Sequence, residues 1–582
     1  MAPAVRVLCD LAKQSQENAG VAWLIGVPWM PWTIVSSIRC LRYKDGDPDY
    51  AAEEGELRIL LPGGLEVIGA LLVGSDAAKA CAVATKIREV LNLVSSNDIV
   101  AATRSSSSDG ITFFSQALQP IEQSSFSAKE FWESTALLHC QVELGLSIYT
   151  SSGTSSDLKK QLDGKIRDLA ESFTSSTTVC IMEGSSRSFL ARSQANEELQ
   201  SVFPDSALFD SSIPHPLAVK LLTQQSKQTD EVIAPVVHYT PSAEGTLLHT
   251  ATVSLDVLCL VSRNSALHKA MNTITRALTI QLESIGKALS ARNTSLQLRP
   301  YHFKVPASVH PVTAIFDKNQ LERDSVDLRK ALHSRLGLPL DRPLFRVANA
   351  LTIRGPQFIS NRIDGKRLLD VHLGLPRCGI SGGEVSVIDG SYEYYHYLQD
   401  RMDDKGWGCA YRSLQTIMSW FRLQHYTSMK EPSHREIQAT LVEIGDKEPS
   451  FVGSQEWIGA IELSFVLDKL LGVTSKILSV RSGADLPEKC RELAAHFDTQ
   501  GTPVMIGGGV LAYTLLGVDY NEFTGESAFL ILDPHYTGGE DLKTIRSGGW
   551  CGWKKAVSDT GREFFLRNKF YNLLLPQRPQ AV

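Results

Sequence analysis

The ten cysteines among 582 residues are scattered and never form a Cys-x-x-Cys pair, which points to a reducing compartment rather than a disulfide scaffold. There is no excess of basic charge. The net charge of −6, without a basic stripe, argues against a nucleic-acid partner, because nothing is placed to neutralise phosphates. No apolar run approaches the ~20 residues that span a bilayer, and the stretch from Val21 to Val35 is broken by Pro28 and Pro31. Met1 to Gln14 lacks the charged-then-apolar pattern of a secretory signal. These absences leave a cytoplasmic protein without a membrane span of its own as the expectation. Hydrophobic content of 43% and charged content of 21% are ordinary, and the length calls for more than one core.

What is present is concentrated around Asp403-Asp404-Lys405-Gly406-Trp407-Gly408-Cys409. Beyond Cys409, Leu414, Ile417, Met418 and Phe421 recur at the spacing of one buried helical stripe, with Arg412, Ser413 and Gln415 off it. Cys409 is thereby placed in the first turn of a helix, where free N–H groups and the helix dipole favour a thiolate. A cysteine nucleophile also needs a base and an acceptor that orients the base. The apolar run Ala528 to Leu532 reads as a buried strand that delivers Asp533, Pro534 and His535 at its end. In an extended chain Asp533 and His535 share a face. A strand-end turn capped by Asp533 explains the same three residues, so the pairing with Cys409 is what makes them informative.

The segment Gly390 to Gln415, ending Gly406-Trp407-Gly408-Cys409-Ala410-Tyr411-Arg412-Ser413-Leu414-Gln415, resembles the active-site segment of the cysteine peptidases specific for the ubiquitin-fold modifier Ufm. Leu532-Asp533-Pro534-His535-Tyr536-Thr537-Gly538 and the closing Phe570-Tyr571-Asn572-Leu573 through Pro579 match the same family, so the resemblance covers residues 366 to 582. It implies a papain-like fold of α+β class, with Cys409 as nucleophile, His535 as base, Asp533 as its orienter and no cofactor or metal. It also implies that Tyr397 donates to the oxyanion. The residues alone leave Tyr392, Tyr394, Tyr395 and Tyr397 nearly equal. The implied activity trims the Ufm precursor to its terminal glycine and cleaves Ufm from conjugated targets. Two alternatives stand beside it: an autophagin, which acts on Atg8-type modifiers and shares Gly-Trp-Gly-Cys followed by Asp-Pro-His, and a non-catalytic adaptor of the Ufm pathway.

The preceding chain is similar in length to the larger, two-part type of this family, whose N-terminal part implies an MPN-like layer that recruits partners, with the endoplasmic reticulum surface as the expected place. No His-x-His pair occurs anywhere, so that layer is read as non-catalytic; His139, His215 and His249 are too dispersed to nominate a metal site. The expected divisions are residues 1–155 and 156–300 as two mixed α/β regions, 301–365 as a helical connector and 366–582 as the peptidase. Strands are expected at Leu57 to Leu61 and Val67 to Val73, with helices at Ala77 to Leu93 and Ser265 to Ser290. The serine clusters Ser105 to Ser108 and Ser151 to Ser156 read as loops. Within the peptidase, Ser454 is expected to cap a helix. Trp457 walls a channel or belongs to the core, and Gly507-Gly508-Gly509 admits a substrate backbone or forms a bulge. Cys551 has no base near it.

Overall fold

The computed structural model describes residues 4–8, 20–74, 76–93, 99–104, 110–150, 155–175, 177–183, 188–191, 199, 214, 216–223, 247–291, 297–306, 308–354, 357–359, 367–509, 511–557, 560–561 and 563–579. They divide into two compact units, residues 1–339 with 344–360, and residues 340–343 with 361–582. Among the described residues no helix is long and apolar enough to cross a membrane.

The first unit contains a six-stranded and a five-stranded sheet. The five-stranded sheet is dominated by two long antiparallel strands, β1 (Thr135–Thr150) and β2 (Leu247–Ser262), paired along their whole length. Helix α1 (Leu267–Ala291) lays Leu267, Met271, Ile274, Leu278, Leu282 and Ile285 into the core, as its three-and-four spacing requires. The strand expected at Val67 to Val73 and the helix expected from Ala77 are present, at Glu66–Val73 and Ala77–Val90.

The run Leu57 to Leu61 is not a strand: it closes a helix, Tyr50–Leu60, which Asp49 caps by accepting from the Ala52 N–H. A short apolar run is compatible with either element. Here Glu53, Leu57 and Leu60 are buried on one helical face, and Glu53 is bound by the Arg335 guanidinium. The segment expected as a helical connector carries a hairpin, β3 (Leu298–Phe303) with β4 (Val312–Asp317), before its helix Val326–Leu336. Phe303, Val312, Phe316 and Leu332 belong to the core of the first unit. Ser105 to Ser108 and the first residues of the second serine cluster lie outside the described residues, whereas Ser155 and Ser156 open a helix, Ser155–Thr174.

The second unit has the α+β layout expected for residues 366–582. Helix α2 (Cys409–Leu423) packs against a seven-stranded antiparallel sheet through β5 (Leu511–Tyr520), and β6 (Ser527–Leu532) pairs with β5. Every residue of β6 is buried, which explains its unbroken apolar run. Helix α2 departs from the single-stripe expectation. Arg412, Ser413 and Gln415 are as buried as the stripe itself, because the helix is enclosed on all sides. Ser454 does not cap a helix; the next one starts at Ala460 with Gly459 before it, where the Glu462 carboxylate accepts the Gly459 N–H.

Candidate active site

The turn before α2 is built by two glycines and one carboxylate. Gly406 adopts φ +89°, the left-handed region that a side chain disfavours. A Cβ on Gly408 would stand 2.6 Å from the Asp404 Cβ, so that position requires glycine. Asp404 organises the rest: Oδ1 accepts the Leu398 N–H at 2.8 Å, Oδ2 accepts Arg412 Nε at 2.6 Å, and its carbonyl accepts the Gly408 N–H at 2.8 Å. His434 Nε2 lies 3.1 Å from the same carboxylate, stacked on Tyr411. Asp404 and Arg412 are 0% and 1% exposed in their side chains. Arg412 also donates to the Gln399 carbonyl at 2.9 Å, bracing a turn in which Leu398, Asp400 and Arg401 all have positive φ.

Sequence reasoning missed this network. Its signal was Arg412, a cation in the first turn of a helix, where the dipole opposes it. Such a residue needs a compensating anion, and Asp404 is that anion.

The turn that carries Asp533 and His535 follows β6, which ends at Leu532. Asp533 Oδ1 accepts both the His535 backbone N–H at 2.9 Å and the His535 Nδ1–H at 2.6 Å. The two residues therefore meet across a tight Asx-type turn rather than by alternation along an extended strand. The turn is pinned to the tyrosine cluster at two points. The Tyr397 N–H donates to the Pro534 carbonyl at 2.9 Å, and the Tyr394 hydroxyl donates to the Asp533 carbonyl. The His535 ring sits edge-on between Tyr397 and Tyr513, at centroid distances of 5.2 and 5.6 Å.

Cys409, the first residue of α2, presents its thiol to the His535 imidazole and the Tyr397 hydroxyl, both close enough to act on its proton affinity. Its backbone N–H precedes the first intrahelical bond of α2. The structure thus brings Cys409, His535, Asp533 and Tyr397 together, and it separates the four tyrosines by partner. Tyr392 meets His372, Tyr394 the Asp533 carbonyl, Tyr395 Glu393 and Glu431, and Tyr397 the sulfur.

The electrostatics single out one thiol. Burial pushes Cys40, Cys140, Cys180, Cys490 and Cys551 up to about 12. Burial pushes Cys409 in the same direction, yet the hydrogen bond and charge of His535, with the Tyr397 hydroxyl, outweigh it and hold this thiol below its ordinary value. Burial works to lower the His535 imidazole, and the Asp533 and Cys409 hydrogen bonds overcome it, raising the ring to about 9. Burial and the neighbouring Cys409 both raise the Tyr397 phenol, so it stays a proton donor.

Trp457 is 52% exposed, and its Nε1 donates to the Gly406 carbonyl at 3.2 Å. It is therefore not a core residue but stands over the glycine approach to Cys409. A Cβ on Gly508 would run into the Phe570 carbonyl at 2.5 Å and the Tyr571 ring. The close approach there is of one strand to another. Outside the second unit, His249 bonds to Thr150 and His215 lies outside the described residues. His139, by contrast, meets Asp256 and His302.

Comparison with known proteins identifies the family. Residues 383–574 match Peptidase family C78, and residues 187–356 match the family described as Ubiquitin-fold modifier 1 specific protease 2, N-terminal. A protein of Oryza sativa subsp. japonica named "Probable Ufm1-specific protease" is 44% identical over 99% of this chain and 98% of its own. The "Ufm1-specific protease 2" of Homo sapiens is 44% identical over 57% of this chain and 69% of its own. The crystal structure of UfSP from C. elegans superposes over the whole of both chains with a TM-score of 0.63 at 23% identity, which shows a shared fold. A thiol at a helix start, an imidazole raised by its carboxylate, and relatedness along nearly the full length together establish that this chain is a cysteine peptidase of the Ufm1-specific protease family, Peptidase family C78.

Proposed function

We propose that Cys409, His535, Asp533 and Tyr397 are the catalytic residues of a thiol peptidase that acts at the C-terminal glycine of the ubiquitin-fold modifier Ufm. The enzyme trims the Ufm precursor and releases Ufm from conjugated proteins. The observation that carries this reading is the 2.6 Å hydrogen bond from His535 Nδ1–H to Asp533, which orients an imidazole that acts on the Cys409 thiol.

His535 takes the Cys409 proton, and the thiolate attacks the glycine carbonyl carbon. The Tyr397 hydroxyl and the Cys409 N–H hold the oxyanion. His535 protonates the leaving amine, which departs as the thioester forms, and then draws a proton from the water that clears the thioester and restores the thiol. Trp457 covers the approach to the sulfur and favours a glycine tail, since a side chain there would clash with the indole. The enzyme works in the cytoplasm, and its first unit recruits it to the endoplasmic reticulum surface through a protein partner, with no nucleic acid involved.

The test is to incubate the full chain with the Ufm precursor, a Ufm isopeptide conjugate and an Atg8-type precursor, and to weigh the products. Cleavage after the terminal glycine of both Ufm substrates is expected. Cleavage of the Atg8-type precursor alone would overturn the substrate. A Ufm probe with a C-terminal electrophile should label Cys409, and labelling that survives Cys409→Ser would overturn the nucleophile.

A further inference from the structure

Three polar side chains from three different strands of the first unit converge at one point. His139 on β1 and His302 on β3 each place Nε2 2.8 Å from the same oxygen, Oδ1 of Asp256 on β2. The ligating atoms of all three lie within 4.8 Å of one another. His302 is 2% and Asp256 21% exposed in its side chain, so the cluster is rooted in the core and open on the carboxylate side.

We propose that His139, Asp256 and His302 form a binding site for a divalent transition-metal ion of the zinc class. Two imidazole nitrogens and one carboxylate are the donor set that suits such an ion, with a fourth position left for solvent. Tetrahedral coordination sets donor atoms about 3.4 Å apart, given metal–ligand distances of about 2.0–2.2 Å. The 2.8 Å contacts would then open by roughly half an ångström, which side-chain rotation can supply.

The surroundings fit that role. The remaining nitrogen of His302, Nδ1, lies 2.9 Å from the Thr313 hydroxyl. A hydroxyl both donates and accepts. In the metal-free protein it gives its proton to Nδ1 while Nε2–H points at Asp256. With the ion bound, Nδ1–H donates to Thr313 and the Nε2 lone pair faces the metal. That is the outer contact that fixes the tautomer of a ligating histidine. The backbone of Asp256 is held at both ends by one amide, Gln281, which accepts its N–H at 2.7 Å and donates to its carbonyl at 2.8 Å. The carboxylate therefore starts from a fixed point on the sheet.

The ion would tie together β1, β2 and β3, segments far apart in sequence. No His-x-His pair is involved, and the site is independent of the peptidase reaction.

The test uses the full-length chain with Cys409→Ser, which removes the thiolate that would otherwise compete for zinc. The protein is stripped with chelator, then titrated with Zn2+ by calorimetry and with Co2+ by visible absorption. One equivalent is expected, with d–d bands of a nitrogen- and oxygen-ligated Co2+ lacking thiolate charge transfer. Thermal stability should rise, and binding should weaken in acid, because protons compete with the metal for its ligands. Asp256→Asn and His139→Gln keep the shape and some hydrogen bonding, and each should weaken uptake by more than about 100-fold. Should both variants fail to fold, the Co2+ spectrum and its pH dependence in the parent chain still decide the matter. Absence of a stoichiometric site, or uptake unchanged in a folded variant, would overturn the metal site and leave a hydrogen-bonded cluster only.

Discussion

One carboxylate oxygen, Oδ1 of Asp533, serves His535 twice, accepting the backbone N–H at 2.9 Å and the ring Nδ1–H at 2.6 Å. The same contact shapes the turn and orients the base. Rotating the ring away would give up the 2.6 Å contact while the backbone contact still holds the turn, and in the bonded orientation Nε2 is left for the sulfur.

This pairing sets the pH dependence of the reaction. His535 is raised to about 9 from the ordinary imidazole value of about 6.5. Its proton therefore stabilises the folded protein fully below about 6.5, and that contribution is lost as pH rises through about 9. Activity on the Ufm precursor should fall over the same alkaline range, as the imidazolium that protonates the leaving amine disappears. In Asp533→Asn the alkaline limb of kcat/KM should move down toward the unperturbed value. An unmoved limb would show that Asp533 does not set the proton affinity of the ring.

Tyr397→Phe removes a hydroxyl while keeping the ring against His535. A loss of about 10²–10³ in kcat with KM nearly unchanged is expected, the signature of an interaction made in the transition state. Comparable losses in kcat and in modifier affinity would instead assign Tyr397 to binding.

Asp404 and Arg412 are a buried pair, and leaving one alone is costly. Asp404→Leu should destabilise the protein by about 3–5 kcal/mol, read by urea unfolding. Asp404→Leu combined with Arg412→Leu should lose less than the sum of the single changes, because the second removes the orphaned charge. Strict additivity would mean that the two charges do not act on each other.

Trp457→Ala should leave stability within about 0.5 kcal/mol, as expected for an exposed side chain. Its effect belongs to substrate: kcat/KM on the precursor should fall about tenfold, or ~1.4 kcal/mol. Wild-type kinetics would remove the indole from the substrate path.

The elements that the sequence made legible are those with an unambiguous period. Helix α1 announced itself through Leu267, Met271, Ile274 and Leu278, and β6 through an apolar run ended by Asp533-Pro534. Leu57 to Leu61 misled because a five-residue stretch with one charge in it is too short to show a period. The Asp49 cap and the buried face of Glu53, Leu57 and Leu60, with Arg335 on Glu53, mark that stretch as helical. Helix α2 misled differently: its polar residues look like a solvated face and are buried, since Arg412 has Asp404 and Gln415 donates to the Pro432 carbonyl.

By itself the chain determined the chemistry on offer: a cysteine behind two glycines at a helix start, an imidazole two residues after a carboxylate, and a cluster of tyrosines nearby. Tertiary structure decided which of these act on one another. A thiol's proton affinity depends on charges within a few ångströms, and those arrive from residues more than a hundred positions away. The same holds for His139, Asp256 and His302, which look unrelated along the chain and meet only because β1 pairs with β2 and the β3–β4 hairpin packs against β2.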